Sequence, residues 1–266
     1  MHHVLFSSAE RHVPACWNEL SEHQLLQVVK TLNYQHRTRM DMRLHLLSIL
    51  LQLPFPTLLS CTPVQLAQLL PQADFVLESN ELTAQLLPAI KFKGRLLYGP
   101  REHFRNLLFK EFIFADSYFM RFCADRQEAL LDKLVAVLYR PQRKPYHPDR
   151  ADYGGDRRED FNEHLIESRA AELAALPLAI KLAVLTWYTG CRLELARQHP
   201  DVFGSGHEEK AGSKGWDYVL REVSGGAFGS LAETSQQHAR MVLAKMQDDQ
   251  EAAKRQRELQ RQQAPH

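Results

Sequence analysis

Hydrophobic residues recur at helical spacing along most of the chain, and this pattern predicts a mainly α protein. The first predicted helix follows Ser21, which has Gln24 three residues later, as in a capping box. A second helix is predicted from Thr38, with one polar face for solvent. A third begins at Thr62-Pro63, where proline occupies the first helical position. The first seventy residues therefore predict a set of short amphipathic helices.

The most apolar part of the chain predicts a pair of buried helices. Residues 102–123 are apolar on nearly all sides, which is typical of a helix in the middle of a bundle. A capping signal at Asp125 opens a second core helix that ends before Pro141, and the short joint makes the two helices antiparallel neighbours. This pair covers residues 103–139. Another strongly apolar helix is predicted over 178–198.

Residues 72–100 interrupt the helical pattern. The short apolar pieces 75–77 and 90–92 are separated by turn-forming residues, and the segment ends at Gly99-Pro100. A small hairpin or extended connectors near 75–98 are expected here. The predicted fold is therefore mainly α, an irregular multi-helix bundle with at most a small β-hairpin.

Composition divides the chain into four predicted regions. Residues 1–139 form an N-terminal helical region that contains the buried helix pair. Residues 140–160 form an exposed loop, because three prolines, two glycines and mixed charges leave it nothing to bury. Residues 161–246 form a C-terminal helical region packed on the first. Residues 247–266 form a charged projecting tail, in which Leu259 is almost the only apolar residue.

The charge balance narrows the function classes. The chain has 266 residues, with 33 Lys and Arg against 32 Asp and Glu, which gives a formal charge of +1. General nucleic-acid binders show a clear basic excess, so nucleic acid is an unfavoured partner. The sequence has no apolar run long enough to span a membrane and no visible signal peptide. Four isolated cysteines are expected to be buried, reduced thiols, and the predicted location is the cytoplasm.

One segment resembles a catalytic motif. Thr189-Gly190-Cys191-Arg192-Leu193-Glu194 is similar to the first arginine box of tyrosine recombinases, which presents an arginine to the scissile phosphate. That chemistry also requires a second basic box and a tyrosine nucleophile, but only Tyr218 follows and no HxxR does. The favoured interpretation is structural: Gly190 permits close helix packing and Arg192 pairs with an acidic neighbour.

Other signatures of catalysis or cofactor binding are missing from the sequence. The thirteen histidines form no HExxH or comparable metal-ligand spacing, and the glycine-rich pieces lack the GK[ST] ending of a phosphate loop. His12, His23, His36 and His45 occupy polar positions, which favours surface residues over ligands. No cofactor and no metal are therefore predicted.

Four polar residues stand in otherwise apolar helices. They are Glu111, Asp116, Arg192 and Glu194. A buried charge requires a partner, so these side chains are expected to form ion pairs. An enzyme site of an unfamiliar helical type is the alternative that the same residues would support.

The loop and the tail contain the candidate partner-binding residues. Aromatic residues in loops are favoured interface anchors, and arginines are too. The candidates are Tyr146, Tyr153, Arg157, Arg158, Arg255, Arg257 and Leu259. The basic residues of the loop would also suit phosphate groups, but the acidic residues between them cancel most of the field.

Several phrases of the sequence resemble a known family. They are Leu82-Thr83, Leu86-Leu87-Pro88, Tyr98-Gly99-Pro100, the runs 111–119 and 134–141, Lys181-Leu182-Ala183, Trp187 and Gly190-Cys191-Arg192. Over about residues 15 to 245, the chain resembles uncharacterised bacterial proteins associated with prophage-like or phage-tail-like gene clusters. The resemblance implies an assembly factor or tail component, such as a tail-assembly chaperone, and it implies no catalytic residue.

The leading hypothesis is a non-enzymatic assembly or interaction protein with a protein partner. It depends on a full helical core, an interaction-prone tail and no converging set of titratable residues. A nucleic-acid-associated protein of a mobile element and an enzyme with an unfamiliar helical site are the alternatives.

Overall fold

The chain forms two compact units, and each unit is assembled from two separate segments. The computed structural model describes the backbone of residues 2–6, 9–36, 38–149, 155–204, 216, 219–221 and 223–263, with side chains from Arg11 onward. Unit 1 consists of Met1–Pro88 and Ala175–Cys191, and unit 2 consists of Ala89–Ala174 and Arg192–His266. The units differ from the predicted linear regions 1–139 and 161–246, because residues 175–191 return to the N-terminal helices.

Unit 1 is helical apart from one pair of strands. Its elements are β1 (His2–Phe6), β2 (Ala9–Val13), a 3-10 turn (Trp17–Glu19), α1 (Glu22–Leu32), α2 (Arg39–Leu51), α3 (Phe55–Leu59), α4 (Pro63–Leu69), a second 3-10 turn (Leu70–Ala73) and α5 (Asp74–Glu78). Strands β1 and β2 are antiparallel, with His3 opposite His12. The mainly α prediction is confirmed, although the sequence did not predict this strand pair.

Side-chain caps define where the helices of unit 1 begin. Ser21 caps α1 in a capping box with Gln24, Thr62 caps α4 in the same way, and the Thr38 side chain accepts from the backbone N–H of Asp41 at the start of α2. Helix α1 packs on α2, and Gln24 donates to the backbone oxygen of Leu50 over 3.2 Å. The buried apolar residues of this pair are Leu25, Val28, Val29, Leu46, Leu47, Leu50 and Leu51.

The prediction of extended structure at 75–77 is wrong. These residues belong to α5, which continues directly from the 3-10 turn at Leu70–Ala73 and buries Val76. Tertiary burial of one helical face outweighs the β propensity of Phe and Val in so short a run. The hairpin is instead formed by β3 (Ala89–Phe92) and β4 (Arg95–Tyr98), with Gly94 at a φ of 77° in the turn.

A long helix, α9 (Leu178–Gln198), contributes its residues up to Cys191 to unit 1. The indole N–H of Trp187 donates to the backbone oxygen of Thr83 over 3.2 Å, and the Asn80 amide donates to the backbone oxygen of Thr186 over 2.7 Å. Gly190 lies so close to the backbone of Leu82 that a Cβ atom there would stand 2.2 Å from the Leu82 oxygen. This is the close packing that the structural interpretation of Gly190 predicts.

Unit 2 is built around a pair of buried helices, α6 (Phe109–Asp125) and α7 (Glu128–Leu138). After β3 and β4 its elements are a 3-10 turn (Glu102–Phe104), α6, α7, β5 (Arg140–Pro141), a 3-10 turn (Glu163–Leu165), α8 (Ile166–Leu173), the end of α9, α10 (Pro200–Phe203), α11 (Leu231–Ser235) and α12 (Ala239–Gln263). Strands β3, β4 and β5 form an antiparallel sheet in that order, with Ile90 opposite Leu97.

Helices α6 and α7 pack against each other across a two-residue joint. Arg126 ends α6 in the left-handed conformation at a φ of 55°, and Gln127 precedes α7 without a side-chain cap, so the predicted capping box at Asp125 is wrong. The aromatic core includes Phe112, whose ring centroid lies 5.0 Å from that of Trp216.

Two further properties of the fold are the exposure of its cysteines and the ability of its helices to cross a membrane. Cys191 is buried, but Cys16 and Cys123 are exposed, so the expectation of buried thiols is wrong for these two; all four cysteines are free. Within the part of the chain that the structure describes, no helix combines the length and the apolar character needed to cross a membrane.

Candidate functional site

A buried carboxylate, Glu111 on α6, organises the polar interior of unit 2. Its side chain is fully buried and lies between two arginines that are also buried. Arg140 Nη2 donates to Oε1 over 2.7 Å, and Arg158 Nη2 donates to Oε2 over 2.9 Å. Each carboxylate oxygen therefore has its own arginine.

The two arginines also bind the backbone around them. Arg140 donates to the backbone oxygens of Val137 and Glu159 over 2.7 and 2.9 Å. Arg158 Nη1 donates to the backbone oxygen of Leu138 over 3.1 Å. Because these bonds join residues 137–140 to residues 158–159, the cluster closes the base of the predicted loop.

Asp156 supplies the second carboxylate of this cluster. Arg158 donates to it through Nε over 3.0 Å and through Nη2 over 2.7 Å, a bidentate geometry. Burial raises the pKa of Asp156, but the hydrogen bonds and charge of Arg158 outweigh burial and hold that pKa below its usual value. With Glu111, Arg140 and Arg158, the cluster holds two positive and two negative charges.

The pKa of Asp156 gives the cluster a pH dependence. Because the folded-state pKa is depressed, the Asp156–Arg158 contact stabilises the fold above the unfolded pKa of about 3.9 and stops doing so as the pH falls through the folded value. We expect Asp156→Asn to lower the free energy of unfolding by about 1.5 kcal/mol at pH 7. Urea denaturation should show this difference shrinking below about pH 4. A difference that stays constant down to pH 2.5 would contradict the assignment.

The prediction that residues 140–160 form an exposed loop is wrong at both of its ends. Arg140 and Arg158 are buried, and Pro141 pairs in β5. Arg158 is therefore not an exposed partner-binding residue, because its guanidinium already donates hydrogen bonds to Glu111, Asp156 and backbone oxygens. Residues 150–154 lie outside the described residues, and Tyr153 is among them.

Of the other loop candidates, Tyr146 and Arg157 lie together. The Arg157 guanidinium carbon is 5.1 Å from the centroid of the Tyr146 ring and 4.1 Å from that of Tyr98. Arg157 Nε also donates to Gln142 Oε1 over 2.9 Å. Cation–π contacts with two rings hold this exposed arginine in place beside the sheet.

Asp116 and Arg192 form a second polar cluster. Arg192 Nε donates to Asp116 Oδ1 over 2.6 Å, and the indole N–H of Trp216 donates to Oδ2 over 2.8 Å. The Arg192 guanidinium also lies over the rings of Phe119 and Phe203, at 5.4 and 5.3 Å. The arginine of the recombinase-like segment is therefore turned towards a buried carboxylate and two aromatic rings.

Glu194 belongs to a third cluster. His103 Nδ1 lies 2.9 Å from Oε1, and Arg240 Nη1 donates to Oε2 over 3.0 Å. Successive residues turn by about 100° in an α-helix, so Arg192 and Glu194 lie on opposite sides of α9. The four residues predicted to be buried and polar are therefore distributed over three separate clusters. The prediction of burial is wrong for Glu194, whose side chain is 25% exposed because it lies at the rim of α9 with the half-buried His103 and Arg240.

A cleft of about 500 Å³ lies between the β3–β4 hairpin and α8. Its volume is in the range of small-molecule sites. Charged side chains line it, and two of them, Arg169 and Glu159, pair with each other. Burial lowers the pKa of Arg169. Apolar side chains such as Phe92, Leu97 and Leu173 line the rest of the partly open cleft, and this mixture points to no particular ligand.

Helix α12 is buried near its start and exposed over the rest of its length. The helix is anchored by Val242, Leu243 and Met246, which are buried. Gln247 is buried as well, and it exchanges hydrogen bonds with Asp201 of 2.9 and 3.1 Å, so the predicted tail boundary at 247 is one residue early. Lys254 also pairs with Asp201.

Beyond this anchor, the helix continues to Gln263 with its side chains almost entirely exposed. Arg255 and Arg257 are exposed, Leu259 is 56% exposed, and the Arg255 guanidinium lies 3.8 Å from the Glu251 carboxylate. Acidic residues dominate the start of the segment and basic residues its end: Asp248, Asp249 and Glu251 come first, and Lys254, Arg255, Arg257 and Arg261 follow, with Glu258 between the last two. Sixteen residues beyond Gln247 extend for about 24 Å.

A cluster in unit 1 was missed by sequence reasoning. His36 and His45 lie on either side of Asp41, and the His36 side chain is only 8% exposed, so the expectation that both are surface residues is wrong for His36. The available signal was the spacing of Asp41 and His45, four residues apart on α2, which brings the two side chains together.

Comparison with known proteins adds no assignment. No protein-family model, no curated protein and no solved structure matches this chain. The relation to prophage-associated bacterial proteins remains a prediction from the sequence phrases.

Proposed function

We propose that this protein is a non-enzymatic interaction protein that binds a protein partner through the exposed half of α12, residues 248–263. The observation that supports the proposal is the contrast along this one helix. Its first turns are fixed in the core of unit 2, while the rest is exposed, with mostly acidic charges followed by mostly basic ones. A helix anchored in this way presents its side chains in a defined order without needing to fold on contact.

The apolar content and the charges of the segment indicate what kind of partner surface it would bind. Leu259 is its only large apolar residue, so burial of apolar area contributes little, and electrostatic complementarity must supply most of the specificity. Arg255, Arg257 and Arg261 lie towards the end of the segment, and arginine is favoured at interface hot spots. A partner with acidic side chains opposite this end fits best, and such a polar interface is typical of reversible assembly.

The ion pairs that other arginines form favour a protein partner over nucleic acid. Arg140 and Arg158 are committed to Glu111, and Arg143 pairs with Asp160 over 2.8 Å. Three arginines of the 140–160 segment are therefore already paired with carboxylates and are less available to a phosphate backbone. The separation of the buried polar residues into three paired clusters likewise favours a structural role over a catalytic one.

The resemblance to phage-tail-like gene clusters supplies the finer form of the proposal. In that form the protein acts in the cytoplasm as an assembly factor, such as a tail-assembly chaperone, and its partner is encoded beside it. This finer role has the sequence phrases as its only support.

Co-expression with the products of adjacent genes tests the proposal. We expect one of them to co-purify with the full chain and Arg255→Glu/Arg257→Glu to weaken that complex at least about tenfold. The two arginines lie on opposite sides of the helix, so a positive charge is reversed whichever side the partner contacts. The matched control is Lys91→Glu/Arg121→Glu, which changes the net charge equally at exposed positions elsewhere in unit 2. Affinities should be measured by titration at two salt concentrations.

Two outcomes would count against the proposal. One is a full chain that binds none of the adjacent products at low salt. The other is a complex that survives truncation after Gln247 with unchanged affinity, which would place the interface elsewhere.

A further inference from the structure

We propose that His36, Asp41 and His45 form a binding site for a divalent cation of the zinc class. The three residues lie at the start of α2 in unit 1, and one ligand atom from each falls within 4.8 Å of the others. Two imidazoles and one carboxylate are a donor set that zinc, cobalt and nickel favour, whereas calcium and magnesium prefer oxygen alone. This inference is independent of the proposed function, which depends on unit 2.

The donor atoms are close enough to share one ion, with the two ring nitrogens next to different oxygens of the Asp41 carboxylate. His36 Nδ1 lies 3.4 Å from Asp41 Oδ2, and His45 Nδ1 lies 3.4 Å from Asp41 Oδ1. Nitrogen and oxygen ligands stand about 2.0–2.2 Å from zinc, so two of them at a tetrahedral angle are about 3.4 Å apart. The same distance is too long for a strong hydrogen bond between a ring nitrogen and a carboxylate.

The backbone determines which ring nitrogen of His36 donates a hydrogen bond. Its Nε2 lies 2.7 Å from the backbone oxygen of Thr31, which can only accept, so Nε2 carries a hydrogen. In the neutral ring Nδ1 then presents a lone pair to the Asp41 carboxylate. Histidine ligands of metals typically donate their second N–H to a carbonyl in this way.

Asp41 and His45 are held by neighbouring contacts. The backbone N–H of Asp41 donates to Thr38 Oγ1 over 3.0 Å at the helix start, and the His45 ring stacks on Phe55 with centroids 4.0 Å apart. His45 Nδ1 also lies 2.8 Å from the backbone oxygen of Asp41. On binding a cation, His45 carries its hydrogen on Nε2 and exchanges this contact for the metal bond.

One side of the cluster is open. The side chains of Asp41 and His45 are 33% and 40% exposed, which gives a cation access from solvent. Three protein ligands leave a fourth tetrahedral position for water. The sequence did not predict this site, because H-x4-D-x3-H matches no common motif and its first histidine precedes the helix.

Titration of the full chain with Zn²⁺ against a chromophoric chelator tests the site. We expect one Zn²⁺ per chain, and His45→Gln and Asp41→Asn each to weaken it about 100-fold, at least as much as the loss of an outer-shell partner. Co²⁺ should give the intense visible absorption of a four-coordinate ion, and His45→Gln should abolish it. His23→Gln, an exposed histidine on α1, is the matched control and should leave both signals unchanged.

The test separates a metal site from an ordinary cluster of histidine–aspartate ion pairs. Both substituted side chains are partly exposed, so circular dichroism with chelator present should show the same folded spectrum as the parent chain. Zn²⁺ affinity that is equal in the parent chain and in His45→Gln would overturn the proposal, as would the absence of a Co²⁺ spectrum. Arg255→Glu/Arg257→Glu should retain full Zn²⁺ affinity, which keeps this test distinct from that of partner binding.

Discussion

Glu111→Ala is expected to lower the free energy of unfolding by about 3–5 kcal/mol, because it leaves two buried arginines without their shared carboxylate. Arg140 and Arg158 are both fully enclosed, so neither guanidinium can regain water without opening the core. Repulsion between the two cations adds to the cost, since Glu111 no longer separates their charges. Urea denaturation followed by circular dichroism measures the effect.

Two further variants show whether burial is the cause. Glu251→Ala removes a carboxylate from an exposed pair with Arg255, and we expect a change of less than about 0.5 kcal/mol. Glu111→Gln keeps the shape and one acceptor oxygen, and it should fall between the two. The free energy of unfolding of Glu111→Ala could instead lie within about 1 kcal/mol of the parent value, roughly the cost of one ordinary hydrogen bond. That result would show that the cluster does not stabilise the base of the loop.

The same cluster shows why the loop was predicted incorrectly. Prolines, glycines and mixed charges are typical of exposed segments, and local composition is all that the sequence of residues 140–160 presents. The contacts that bury its two ends are long-range: Arg140 meets Glu111 from 29 residues away, and Arg158 meets it from 47. Pairing over such distances leaves no periodic signal in the chain.

Local signals were more reliable. The starts of α1, α2 and α4 could be predicted because Ser21, Thr38 and Thr62 cap their own helices within three residues. The capping box predicted at Asp125 does not form, although its residues have the correct spacing. A capping bond needs the correct backbone angle as well as the correct residues, and here Arg126 adopts the left-handed conformation instead.

The same difference between local and long-range signals applies to the candidate sites. The sequence singled out Glu111, Asp116, Arg192 and Glu194 because charges are unusual in apolar helices, but their partners could not be named. The exposed end of α12 could be predicted from its composition alone. The metal-ligand cluster required the turn between α1 and α2, which brings His36 against Asp41 and which no helical period reveals.

Gly190→Ala is expected to destabilise the fold by about 3 kcal/mol, although alanine is the better helix former. In the middle of an exposed helix this substitution stabilises by about 1 kcal/mol. Here the new Cβ would stand 2.2 Å from the backbone oxygen of Leu82, and that oxygen cannot move without shifting the segment that receives the Trp187 and Cys191 hydrogen bonds. Overpacking against backbone therefore outweighs helix propensity, and thermal and urea denaturation both measure the net loss.

Gly226→Ala is the matched control for this prediction. A Cβ at Gly226 would have its nearest neighbour at 3.8 Å, the backbone oxygen of Val223, so the variant should unfold within about 0.5 kcal/mol of the parent chain. A Gly190→Ala variant that is as stable as this control would show that α9 and the Leu82 segment can separate freely. In that case Gly190 would not be needed for packing, and the structural interpretation of the recombinase-like segment would lose its main support.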